Sequence, residues 1–420
     1  MISQQDSIVF ELRGEIAHWQ TAMVGLSDLE NFAATSAWQA LERYVGVALR
    51  RHLTSLIGAT QLELDALQTD LRAAATVDDL RRCHARVTRF RHRFLQLETV
   101  LSFYGNAVRS RTNAALGELL RAFDFLAAES MRTALRPLRL ETPPVLVYLD
   151  NGLGASILRA GWRAWEGGSP SPAAAIKLTR FNMMRPTSML HEAGHQVAHL
   201  TGWNDELTIA LRRGIADPIV AEMWSGWATE LGPDLLAFAH SGFGAVAALH
   251  DVVNDVQRVF SLPLGDPHPI AYLRVLVGVE MCKRFYGTGP WDTLAQAWQV
   301  AYPLSAAPAA VRPLIERSIE ALPRIVEIGL RTPMRAFAGK ALCDVVDPGR
   351  VSPAALAELE RTAGTALTIS SHYLQSEGLR LLALASYNVA AKPESAAATA
   401  RSFETWMRRL GTLTDAAQVA

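Results

Sequence analysis

The chain has 420 residues, half of them hydrophobic and a fifth charged, with 41 basic residues balancing 41 acidic ones. That length provides core for two or three domains, and the zero net charge gives no bulk attraction to nucleic acid or to an acidic membrane surface. Three widely spaced cysteines, Cys83, Cys282 and Cys343, argue against a disulfide framework or a cysteine zinc knuckle, and no run of ~18 apolar residues marks a membrane span.

The opening MISQQDSIVFELRGEIAHWQ carries acids where a signal peptide has a basic segment and then an apolar run, so a cytoplasmic protein is expected. From Ser7 to Leu135 strong helix formers dominate, with apolar residues at helical spacing such as Trp38, Leu41, Tyr44, Val45 and Leu49. This predicts a helical bundle or coiled hairpin over residues 1–138, broken near Gly25 to Asp28, Gly58 to Thr60, Thr76 to Asp79 and Gly105. Its densest basic run, Arg81, Arg82, Arg86, Arg89, Arg91 and Arg93, points in several directions along a helix and reads as a solvated face paired with acids.

At Pro137 to Pro144 the texture changes. Val145 to Leu149 and Ala175 to Phe181 read as short strands, with a helix expected between them from Ala155 to Trp165. Next comes MLHEAGHQVAHLTGWN, with Thr187 and Ser188 as caps and Gly202 as the stop of a helix. His191 and His195 are four apart and share one helix face, where both imidazoles can bind one ion. Glu192 lies between them, placed to take a proton from water. Gly194 costs helix stability unless something must approach that face closely. Further helices are expected from Asp217-Pro218, over about Gly244 to Phe260, Ile270 to Phe285 and Trp291 to Val300, and from Pro308 to the end.

Two histidines need a third protein ligand. Ala198 and Thr201 occupy the positions where HExxHxxGxxH would place its glycine and third histidine, and the TGWND setting of Asp205 suits ligation poorly. A glutamate on a later helix remains, and Glu222 and Glu230 both qualify by chain distance. Asp234, four residues after Glu230, could bond the far nitrogen of a ligand histidine. Pro233 between them suggests that Glu230 closes one helix and Asp234 opens the next, which keeps Glu222 as the alternative third ligand.

HEAGH followed by a distal ExxxD resembles the gluzincin zinc metallopeptidases. WATELGPDLLAFAHSGFGAVAAL with DPHPIAYLR is similar to predicted intracellular bacterial peptidases of that clan. The resemblance covers about a third of the chain, from Val145 to Phe285. It implies Zn2+ as cofactor, Glu230 as third ligand with Asp234 behind the ligand set, and Glu192 as general base. It also implies His268 and Arg274 for substrate binding or the oxyanion; apart from the resemblance, an oxyanion needs a donor beyond the metal, which His268 or a tyrosine such as Tyr272 could supply. Asp266 and Asp251 are expected as caps or ion-pair partners, His199, His240 and His250 as structural histidines, and Trp203, Trp224 and Trp227 as core.

The expected architecture is mainly α (α+β): a zincin-like catalytic core with a small β-sheet over residues 139–300, between the N-terminal bundle and a C-terminal helical region over 301–420. The expected partner is a peptide or protein substrate, with the flanking helices available to a protein partner and neither nucleic acid nor membrane involved. Two other functions share these residues: a helical interaction protein with a structural or vestigial zinc site, and a zinc amidohydrolase for a non-peptide substrate.

Overall fold

The first three long helices owe their packing to one repeated spacing. α1 (Gln4–Ser27) buries Leu12, Ile16, Met23 and Leu26. After α2 (Thr35–Val45), α3 (Leu49–Ala73) buries Leu49, Leu53, Leu56, Thr60, Leu64, Leu67 and Leu71. α4 (Val77–Ser110) buries Leu80, Cys83, Val87, Phe90, Phe94, Leu97, Leu101 and Tyr104. Steps of three and four keep these residues on one stripe of each helix, so α1, α3 and α4 pack mutually as a bundle. The α3–α4 corner is set by a capping box, in which Thr76 Oγ1 accepts from the Asp79 amide and Asp79 Oδ2 accepts from the Thr76 amide.

This computed structural model describes residues 4–152, 154–183, 185–263 and 265–419, with those after Thr414 described by backbone alone. Helices dominate it. The chain divides into two compact units, the first made of Met1–Ala114, Pro143–Tyr148 and Leu158–Ala175 and the second of the remainder. A three-stranded sheet, β1 (Val145–Asp150), β2 (Ser156–Leu158) and β3 (Ala174–Thr179), has the order β1-β3-β2.

The second unit contains α5 (Ala114–Leu135) from its second residue onward, then α6 (Thr187–Thr201), α7 (Trp203–Gly214), α8 (Pro218–Gly226), α9 (Ala228–Ser241), α10 (Phe243–Val253), α11 (Ala271–Tyr286), α12 (Pro290–Ala301) and α13 (Arg312–Arg331). The shorter α14 (Leu342–Val345), α15 (Pro353–Ala363), α16 (Ala366–Ile369), α17 (Ser371–Ser376), α18 (Gly378–Ala391) and the longer α19 (Ala396–Val419) complete it. Among the described residues no helix is long and apolar enough to cross a membrane.

Several expectations need correction. Ala155 to Trp165 is not a helix: after β2 the chain turns back, and residues 161 and 162 exchange backbone hydrogen bonds with Ser171 at 2.8 Å, so non-local partners satisfy groups that a helix would pair locally. Gly58 to Thr60 does not interrupt α3, which runs unbroken from Leu49 to Ala73 with the Thr60 hydroxyl donating to Leu56 O inside it. Gly105 is a contact rather than a break in α4, since a Cβ there would stand 3.1 Å from the Phe32 ring. α10 ends at Val253, where Asp255 starts a turn by accepting from the Gln257 amide. The arginines of α4 are largely paired: Arg81 with Asp78, Arg82 with Asp79, Arg86 with Asp70, and Arg93 with Glu63 while stacking over Trp165.

Candidate metal centre

Two helices of the second unit build the centre, and a glycine lets them meet. α6 lies against α9 with Gly194 over Pro233, where an added Cβ would fall 2.7 Å from Pro233 Cα. Pro233 does not split the ExxxD element as expected. α9 starts at Ala228, so Glu230 sits in its first turn and Asp234 one turn later on the same helix. Pro186, rather than Thr187 or Ser188, is the cap residue of α6, and Gly202 ends that helix in the left-handed region.

Suitable ligand atoms of His191, His195 and Glu230 all lie within 4.8 Å of one another. The separations from Glu230 Oε2 are 3.3 Å to His191 Nε2 and 3.6 Å to His195 Nε2. Ligands ~2.1 Å from one ion at tetrahedral angles stand about 3.4 Å apart, so these edges fit a zinc-sized polyhedron. Glu230 Oε2 is buried and no neighbour makes a well-aligned hydrogen bond to it, although three imidazole nitrogens face it. That orphaned oxygen is what a carboxylate shaped for a cation leaves behind. Glu222 lies elsewhere, in an exposed bidentate pair with Arg212 at 3.0 Å.

Behind the three stands a buried relay. His191 Nδ1 donates to Asp234 Oδ1 at 2.7 Å, which orients the ring with Nε2 toward Glu230. Arg274 donates to both oxygens of Asp234, from Nε at 2.6 Å and from Nη2 at 2.9 Å. Glu192, Glu230, Asp234 and Arg274 are each only 6–8% exposed. Burial pulls the His191 imidazole down, but Asp234 and Glu230 together outweigh it and raise the group to about 9. Burial also lifts the Glu192 carboxyl above its ordinary range. In Glu230 burial is opposed and overcome by the facing imidazoles, which hold the carboxyl low. Asp234, despite burial, is held at about 2 by Arg274 and His191.

His268 reaches in from the loop before α11. Its Nε2 is 3.2 Å from Glu230 Oε2 and its Nδ1 donates to Asp266 Oδ1 at 2.7 Å, while the ring stays half exposed. Asp266 also accepts from the His268 amide, and this Asx turn aims the ring. Tyr272 is not near the reacting groups as expected: it is buried, stacked on Trp298, and its carbonyl accepts from the Trp298 indole. Arg274 is likewise engaged with Asp234 on two of its nitrogens. Asp251 pairs with Arg185, His240 bonds the Ser130 carbonyl at 3.1 Å, and His250 packs edge-on against Trp298. Trp203, Trp224 and Trp227 are all buried.

A cavity of about 130 Å³ opens beside His191, Glu192, His268 and Arg274. Its other walls come from Gly154 and Ala155, from Thr187 and Ser188 of α6, and from α9, α10 and α11, whose small apolar residues at helical spacing look the same in sequence whether they pack a core or line a pocket. The Asp266–His268 pairing was visible only as two residues at cap distance. Compared with protein-family models, with curated proteins and with solved structures, the chain gives no match in any of the three.

Proposed function

We propose that the chain is a zinc-dependent hydrolase, most specifically a metallopeptidase with a zincin-like core, in which His191, His195 and Glu230 hold the ion. One observation carries the reading: two imidazoles and one carboxylate converge on a common point, with the buried Glu192 on the same helix as both imidazoles. When bound, zinc supplies Lewis acidity that makes water easier to deprotonate and polarises a carbonyl. Glu192 takes the proton of the attacking water and returns it to the leaving nitrogen. His268, aimed by Asp266, donates to the carbonyl oxygen as negative charge develops there. Asp234 orients His191, and Arg274 holds Asp234; both are positioning residues.

The test is metal analysis of the purified chain together with Glu192→Gln. About one zinc per chain is expected, retained in the variant, with turnover of peptide substrates falling by about 10²–10⁴-fold. Zinc absent from protein refolded with the metal in excess, or a variant as active as the parent, would remove the proposal.

A further inference from the structure

α9 carries one more buried polar group, at the end away from Glu230. His240 lies about 15 Å further along the helix and is only 4% exposed. Its Nε2 donates to Ser130 O at 3.1 Å, and burial lowers the imidazole to about 4, so at neutral pH Nδ1 is a bare lone pair. Among the described residues nothing donates to that nitrogen. His240 lines a cavity of about 220 Å³ whose other walls come from α5, from residues 344–351 and from the junction of α17 and α18, all within the second unit. That exceeds a cavity of roughly 150 Å³ that accepts benzene in another protein.

The walls are acidic. Glu129, Asp344, Asp347 and Glu377 share them with only two cations, Arg350 and Arg380, and both of these turn to Glu377, at 3.4 Å and 3.1 Å. The other donors of Arg380 are spent on the carbonyls of Arg350 and Ala355, which leaves little to hold an anion. Asp344 and Asp347 accept from the amides of Ala341 and Gly349, and among the described residues neither meets a cation. Among the described residues only His191, His195 and Glu230 form a group of three close enough to share one metal ion, so no three acids of this cavity do. A cation that satisfies them has to be long and to carry its charge in more than one place.

We propose that this cavity binds an extended organic dication, an α,ω-diamine or longer polyamine. One ammonium group donates to His240 Nδ1, and the other lies against Asp344 and Asp347. The site is independent of the hydrolase reading, because none of its residues belongs to the metal centre.

The experiment is calorimetry of the full chain at physiological salt with putrescine, spermidine, butylamine, magnesium and inorganic phosphate as probes. Spermidine and putrescine should bind one site about 10-fold or more tightly than butylamine, whose single charge reaches one end only. Asp344→Asn combined with Asp347→Asn keeps both side-chain oxygens that accept the amides and removes both charges; spermidine should then bind about 10-fold more weakly. His240→Phe, which deletes the acceptor, should weaken it by about 10-fold. Circular dichroism establishes that each variant is folded, and if His240→Phe is not, the paired asparagine variant decides. Glu230→Gln should bind spermidine as the parent does, which separates this cavity from the metal centre. Absence of spermidine binding, binding unchanged in the paired asparagine variant, or binding lost in Glu230→Gln would overturn the proposal. So would magnesium or butylamine bound as tightly as spermidine, or phosphate bound in its place.

Discussion

The bundle of the first unit and the helices around α6 and α9 in the second use their charged residues in opposite ways. In the first, the arginines of α4 meet acids at the surface, and among the described residues His52 is the only buried imidazole, with no buried acid or arginine beside it. In the second, Glu192, Glu230, Asp234 and Arg274 are all buried within a single centre. Taking such groups out of water costs several kcal/mol each, and a well-packed apolar set of the same volume would often be as stable. Four ionisable side chains buried in one place are what the proposed metal centre requires and what stability alone does not.

The largest effect that can break the contrast is at Asp234. Asp234→Ala leaves Arg274 buried without its partner, and a destabilisation of about 3–5 kcal/mol is expected in urea unfolding. Zinc affinity, read by chelator competition, should fall by about 10–100-fold because His191 loses the acceptor that orients it. Arg82→Ala, which removes an exposed pair on α4, should cost under about 1 kcal/mol. Equal costs at the two positions would erase the distinction between the units.

Acid should reach both units through one buried histidine each. His52, whose Nδ1 faces Ser169 Oγ at 2.9 Å, and His240 on α9 are both lowered to about 4, by burial in each case. Their folded-state values lie below the unfolded value near 6.5, so the unfolded chain binds more protons between those limits. The stability they contribute is complete above about pH 6.5 and declines as pH falls toward 4, by about 3 kcal/mol for each histidine at full titration. Unfolding midpoints measured from pH 7 to pH 4 should slope less in His52→Gln and in His240→Gln than in the parent. An unchanged slope in either variant removes that histidine from the account.

What could be read in advance follows the range of the interaction. The stripes of α1, α3 and α4 and the His191–Glu192–His195 set are local, because spacing along one helix decides them. The choice between Glu230 and Glu222 is not local. Both fall on helices at similar chain distance, and only the packing of α6 on α9 selects one, while Pro233 misleads because a proline six residues into α9 still leaves the helix intact. The same holds for Ala155 to Trp165, whose hydrogen-bond partner is Ser171.

Gly194 is the position where a short-range reading and a long-range contact meet, and two glycines sharpen the comparison at the smallest scale. In the interior of α3, Gly58 is exposed and an added Cβ would have no neighbour within 4 Å. Gly58→Ala should therefore stabilise the chain by about 0.5–1 kcal/mol through helix propensity alone. Gly194→Ala offers the same propensity gain, but its Cβ meets Pro233 Cα at 2.7 Å, a backbone atom of α9 that cannot swing aside. α6 and α9 must separate to admit it, at about 1–3 kcal/mol for the overpacking. The same separation moves Glu230 away from the imidazoles, so zinc affinity should fall alongside stability. Thermal melts of both variants with and without zinc check this: a Gly194→Ala protein as stable and as zinc-responsive as the parent would mean that close contact of the two helices is not what assembles the centre.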